Sequence, residues 1–303
     1  MSAVDAPVVL DLDGSVGPLP GESRLALQDW QETMRFGCTL RQMARFRENI
    51  DLALPRPGRA GTVLTGSGDF HHLSWPLITR AAEARRGASP MRVLVFDNHP
   101  DNMRYPFGVH CGSWVRRVAA LPGVARVDVV GISSGDIGWR HAWENQLAPL
   151  RSGRLRYWSV GVDVGWARWL GLAPAFRDHA DADTLVDAVC ADLRADRVTG
   201  PLPVYLSIDK DVFAPEVVRT NWDQGRLREH HVQTVIDALR GRIVGSDITG
   251  DVSAYRYRSA FKRWLSGIDG QDTGIDRAEL QAWHADQHAL NMRLVDRIAA
   301  ARA

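Results

Sequence analysis

Two acidic stretches carry side chains suited to divalent cations. Asp97, His99 and Asp101 alternate within residues 95–101 (VFDNHPD), and Asp209 and Asp211 alternate within residues 206–211 (LSIDKD). Side chains two apart on an extended chain share a side, so the spacing predicts that the first three converge and that the second pair meets the same or a neighbouring point. Pro100 disfavours helical backbone at His99 and keeps that alternation. One Asp-x-Asp alone is a common solvated turn, but four carboxylates at the mouths of apolar strands repel one another unless a cation lies among them. Two divalent ions would balance four aspartates. Cys38, Cys111 and Cys190 are odd in number and far apart, which argues against a disulfide framework or a thiolate cluster and leaves oxygen and imidazole as the donors.

Strands must deliver these groups. Strand-like runs fall at 8–12, 62–65, 92–96, 126–132, 155–160, 204–208 and 242–248, and helical spacing at 77–86, 112–121, 182–195 and 231–240, with a closing helix at 276–303. The alternation predicts an α/β fold of three layers, a mainly parallel sheet with helices on both faces. Ligands in such sheets gather outside the carboxyl ends of the strands, where both acidic stretches lie. The Pro/Gly-rich residues 55–61 read as a surface loop.

The 303 residues, 45% hydrophobic, suit a single domain over 1–303. A net charge of +1 provides no footprint for nucleic acid or an anionic membrane. Neither a leader at residues 1–5 nor a spanning apolar run is evident, so a soluble, cytoplasmic protein is expected. Eleven tryptophans, among them Trp139, Trp143, Trp158, Trp166 and Trp169, are expected mostly in packing.

The motifs resemble those of the ureohydrolase superfamily, the arginases and agmatinases. Gly68-Asp69-Phe70-His71-His72 is similar to the family's Gly-Gly-Asp-His-Ser turn, Asp97-Asn98-His99-Pro100-Asp101 to its Asp-Ala-His-x-Asp, and Ser207-Ile208-Asp209-Lys210-Asp211 to its Ser-x-Asp-x-Asp. The resemblance covers roughly residues 60–255 and implies an arginase-like sheet and two Mn2+. One ion would be held by His71, Asp97, Asp101 and Asp209, the other by Asp97, His99, Asp209 and Asp211, with His72 an alternative to His71. It implies a hydrolase that cleaves a guanidino or amidino C–N bond with a metal-bridging hydroxide. His110 would be the proton shuttle and Asp136 the carboxylate for a substrate amine. Homo-oligomers are common in that family.

Departures bear on substrate. Gly250 stands where the family has a guanidinium-gripping glutamate, with Asp251 the nearest acid, and Met103 stands in a shortened loop before His110. A more open mouth fits a bulkier guanidino compound or an arginine within a peptide better than free arginine. Two other readings stand beside this one: a catalytically idle metal-binding relative, and a haloacid-dehalogenase-type phosphatase using Asp11 and Asp13 of residues 8–14 (VVLDLDG).

Overall fold

Runs of Val, Leu and Ile form the interior strands of the computed structural model, which describes residues 6–260, 262–263 and 276–302. Residues 1–5, read above for a leader, and Ala303 lie outside the described residues. The strands are β1 (Val8–Asp11), β2 (Ser23–Ala26), β3 (Gly37–Cys38), β4 (Val63–Leu64), β5 (Met91–Phe96), β6 (Val109–His110), β7 (Val124–Ile132), β8 (Leu155–Val160), β9 (Phe176–His179), β10 (Val204–Asp209) and β11 (Ile243–Thr249). Nine of them make one sheet in the order β2-β1-β4-β11-β10-β5-β7-β8-β9, and every neighbouring pair is parallel. β3 and β6 form a small antiparallel ribbon.

Period-two alternation supplies two cores. On β5, Val93 and Val95 pack into one core with Phe70, Leu77 and Val115, whereas Leu94 and Phe96 pack into the other with Leu206, Val232 and Leu290. Helices Ser74–Ala84 and Val115–Ala119 cover the first face; Ala182–Thr199, Glu229–Ala238 and Arg277–Arg302 cover the second. Each fully buried aliphatic side chain contributes about 1.5–3 kcal/mol. No described helix is long and apolar enough to cross a membrane.

All seven expected strand runs lie in the sheet, with ends shifted by a residue or two. β2 and β9 were not expected, because they are edge strands of mixed polarity (SRLA and FRDH) with no apolar run. The helix Leu40–Ala53 was also missed, although Thr39 and Gln42 cap it reciprocally and Met43, Phe46 and Ile50 bury one stripe. Tryptophan packing holds for Trp158, but Trp139, Trp143 and Trp169 are 75%, 69% and 90% exposed, in connections outside the sheet.

Topology picks the site. From β5 the chain moves outward through β7, β8 and β9, then returns to place β10 on the other side of β5. The connections therefore part above β5 and β10, which opens a crevice at their carboxyl ends.

Candidate metal centre

Both central strands end in the same turn. Asp97 Oδ1 accepts from the His99 amide at 2.7 Å, and Asp209 Oδ1 from the Asp211 amide at 3.1 Å. The extended alternation expected through residue 101 stops at Phe96: residues 98–99 bend, and Asp101 takes φ 47°, its carbonyl accepting from the Val115 amide at 3.0 Å. Asp97 and Asp101 consequently meet His71, while His99 turns towards Asp211. The register Ser207↔Val95 and Ile208↔Phe96 sets Asp209 beside Asp97.

His71 Nδ1 lies 3.2 Å from Asp97 Oδ2, 2.9 Å from Asp101 Oδ2 and 3.3 Å from Asp209 Oδ2. Its Nε2 lies 3.2 Å from Ser207 Oγ, which donates to Asp247 Oδ1 at 2.7 Å. With the serine proton committed to Asp247, Ser207 accepts from Nε2–H, and Nδ1 is the nitrogen left to face the acids. His99 Nδ1 lies 2.9 Å from Asp211 Oδ2 and 3.5 Å from the other oxygen of Asp97. Trp114 Nε1 donates to Asp101 Oδ2 at 2.6 Å and its ring meets His71 edge-on.

Among the described residues these acids pair with imidazoles and with no lysine or arginine. Burial favours an uncharged His71, yet Asp101, Asp97 and Asp209 outweigh it and hold the imidazole well above its ordinary pKa; Asp211, Asp223 and Asp97 do the same for His99. Burial, together with the Asp97 charge, pushes Asp101 and Asp211 up to about 7 each, and burial beside Asp211 holds Asp209 well above the usual carboxylate range. Asp97 goes the other way despite its burial, because the His71 and His99 imidazoles lie beside it and favour its charged form. Asp97 Oδ2 is buried without a hydrogen-bond partner. Oxygen and imidazole donors, a matched tautomer at His71 and an orphaned carboxylate oxygen fit divalent cations, which would displace the two Nδ1 protons.

A cavity of about 610 Å³ opens over this cluster, and His110 and Asp136 line it. His110 Nδ1 accepts from the Gly112 amide at 2.9 Å, so its neutral form carries the proton on Nε2, and burial lowers its pKa to about 4. Gly37, cross-strand from it, admits no side chain: a Cβ there would lie 2.6 Å from His110 Cβ. Burial raises the Asp136 pKa.

Other sequence candidates lie elsewhere. His72 is buried off the cavity, where desolvation holds it uncharged. Asp251 does not line the cavity; it pairs with Lys210 Nζ at 2.8 Å and accepts from Asn291 Nδ2 at 3.0 Å, and is thereby removed from any grip on substrate. Nor can residue 250 carry a glutamate, since its φ is +92° and a Cβ would lie 2.5 Å from Asp209 Oδ1. Asp13, the second aspartate of the phosphatase reading, is held by Arg35 at 2.7 Å and by Ser15, and Asp11 accepts from Gln28 and the Gly14 amide; neither lines the cavity. Sequence reasoning missed Asp223, Trp222, His141 and Glu144 on the cavity wall. Trp222 and Asp223 lie in irregular backbone and His141 and Glu144 in a short 3-10 helix, all outside the motifs. A third acid–imidazole group, Asp183, His230 and His231, is internally satisfied: His231 Nδ1 accepts from the Arg228 amide at 2.9 Å, which puts its proton on Nε2 facing Asp183.

No protein-family model matches the chain. An uncharacterised protein of Thermotoga maritima is 26% identical over 196 residues, a match that covers 64% of this chain and 60% of that protein's length. Among solved structures, the proclavaminate amidino hydrolase of Streptomyces clavuligerus is similar with TM-score 0.55 and 17% identity, over 98% of this chain and 92% of that one. The formimidoylglutamase of Bacillus subtilis aligns with TM-score 0.54 and 13% identity, over 97% and 86%. The formiminoglutamase of Trypanosoma cruzi, in a structure with Mn2+, aligns with TM-score 0.50 and 13% identity, over 92% and 75%. At these identities the likeness is one of fold, the arginase-like α/β fold.

Proposed function

We propose that this chain is a divergent member of the ureohydrolase superfamily, a hydrolase that cleaves a C–N bond of a small guanidino or amidino substrate with two Mn2+ held at the ends of β5 and β10. Asp97 carries the reading. One of its oxygens lies by His71 and the other by His99, so one side chain joins two adjoining sets of potential ligands. We assign His71, Asp97, Asp101 and Asp209 to one ion and His99, Asp97, Asp209 and Asp211 to the other, with Asp97 and Asp209 shared. The donor set supports manganese, as does the ion in the T. cruzi structure of the same fold.

Bound there, two divalent cations would supply an acidified water as nucleophile and positive charge for the developing anion. The chain's own groups bind and orient. Asp136 and Glu144 place two carboxylates on the cavity wall, complementary to a guanidinium or a substrate amine. His110, uncharged at neutral pH, is assigned to hydrogen-bond the substrate through Nε2–H in place of the proton shuttle that the resemblance implied. Gly250 supplies no carboxylate at the position of the family's glutamate and Met103 offers no polar partner to an α-carboxylate, which favours a bulkier guanidino compound or a peptide arginine over free arginine. Gly250 also supports a second reading, a metal-binding relative without catalysis.

The test is metal per chain by elemental analysis, with urea or ammonia release from free arginine, guanidino amines, formimino compounds and an arginine peptide. Two equivalents of manganese with release from a substrate other than free arginine is expected. Two equivalents with no release from any of them supports the idle relative; no bound metal ends both readings.

A further inference from the structure

Asp223 belongs to none of the motifs, yet its carboxylate completes the environment of His99. Its Oδ1 is 2.7 Å from His99 Nε2, the ring nitrogen opposite the one that faces Asp97 and Asp211. Asn98 holds it there. The Asn98 side-chain amide, 1% exposed, donates to Asp223 Oδ2 at 3.1 Å and to its carbonyl at 3.0 Å, while its oxygen accepts from the Ser133 amide at 3.1 Å and from Ser133 Oγ at 2.7 Å. All four hydrogen-bonding capacities of that buried amide are therefore used to fasten the 223 loop to the end of β7 beside the candidate metal centre. In the Asp-Ala-His-x-Asp pattern this position is alanine, which could make none of these bonds.

We infer that Asp223 is a positioning residue that fixes the ring of His99 and the nitrogen it presents to the second ion, the pair Asn98–Asp223 being this chain's own addition to the centre. The inference rests on the metal-site reading above. An ionised carboxylate only accepts, so it keeps a proton on Nε2 and leaves Nδ1 as the ligand atom; it also makes the ring a stronger donor. His71 receives the corresponding service from Ser207, an uncharged hydroxyl already donating to Asp247. The two imidazoles are thus oriented by different chemistry, which predicts that they respond to different substitutions.

Calorimetric titration of the metal-free full chain with MnCl2 tests this. Asp223→Ala is expected to weaken one of the two manganese equivalents by about 10–100-fold, as for other outer partners of metal-binding histidines, with the other equivalent unchanged. Asp223→Glu should recover part of the loss. The Asp223 side chain is 67% exposed, so the variant is expected to keep the wild-type circular dichroism and melting temperature without metal. Unchanged affinity for both equivalents, or equal weakening of both, would overturn the inference while leaving the metal centre standing. A wild-type chain that takes up no manganese would overturn the metal-site reading itself.

Discussion

Buried aspartates occur in two regions of this molecule and differ in what neutralises them. Past the ends of β1, β4 and β11, and within β7, they meet the chain's own cations: Asp13 and Asp69 share Arg35, Asp251 pairs with Lys210, and Asp128 receives Arg92 and Arg126. At the ends of β5 and β10, Asp97, Asp101, Asp209 and Asp211 face one another and two imidazoles, with no lysine or arginine paired to them among the described residues. The contrast is sharpest at residues 209–211, where Lys210 lies between two of these acids in sequence and pairs with Asp251 instead. A buried acid with an internal cation is part of the scaffold. A cluster that faces only imidazoles draws its counter-charge from protons or from a cation in solution.

The largest effect that would break this comparison is on the cluster's shared member. Asp97→Asn should lower turnover by about 10³-fold or more, beyond the 10–100-fold expected of an outer partner, and should reduce bound manganese below two per chain. Full retention of both ions would refute the role given to Asp97.

On the scaffold side, Asp251→Asn leaves Lys210 buried without its counter-ion, and denaturant unfolding should show a loss of about 3–5 kcal/mol. Manganese stoichiometry of the folded fraction should stay at the wild-type value. A change in metal content with little loss of stability would move Asp251 into the centre.

Imidazoles sharpen the contrast in a second way, because His110 has no acid paired with it among the described residues. Its folded-state pKa, about 4, lies below the ordinary 6.5, so on acidification the unfolded chain takes up the proton first. The stability tied to His110 is complete above pH 6.5 and is lost as pH falls towards 4, by at most about 3 kcal/mol. His110→Phe should flatten that acid limb, and an NMR titration should find the ring neutral at pH 6.

The smallest expected effect is one of sign. Asp209 is held well above the usual carboxylate pKa, so at neutral pH its ionised form costs stability in the metal-free protein. Asp209→Asn should raise the metal-free melting temperature by about 2 °C, for roughly 1 kcal/mol of repulsion relieved. With manganese present the order should reverse. A variant less stable in both states would argue against repulsion in the cluster.

Much of this was legible before the fold was known, and the misses share a cause. Asp97, His99, Asp101, Asp209 and Asp211 stood out because ligand types follow apolar runs at fixed spacing, and β5 and β10 because buried parallel strands need such runs. β2, β9 and the helix Leu40–Ala53 were overlooked because edge and surface elements carry mixed polarity. Asp251 was read as a site residue from its place beside Gly250, whereas a contact with Lys210, 41 positions away in the chain, makes it structural. Asp223 gave no signal because its partners, Asn98 and His99, are over a hundred residues away.

The sequence by itself determined the donor chemistry and the alternating strands, since both follow from neighbours along the chain. Only the tertiary structure set His71 against the acids and His72 off the cavity, although the two differ by one position in a 3-10 turn. It likewise decided which buried acids find an internal cation. Those outcomes depend on pairwise distances between remote segments, to which Coulomb energies and hydrogen bonds are acutely sensitive and local spacing is blind.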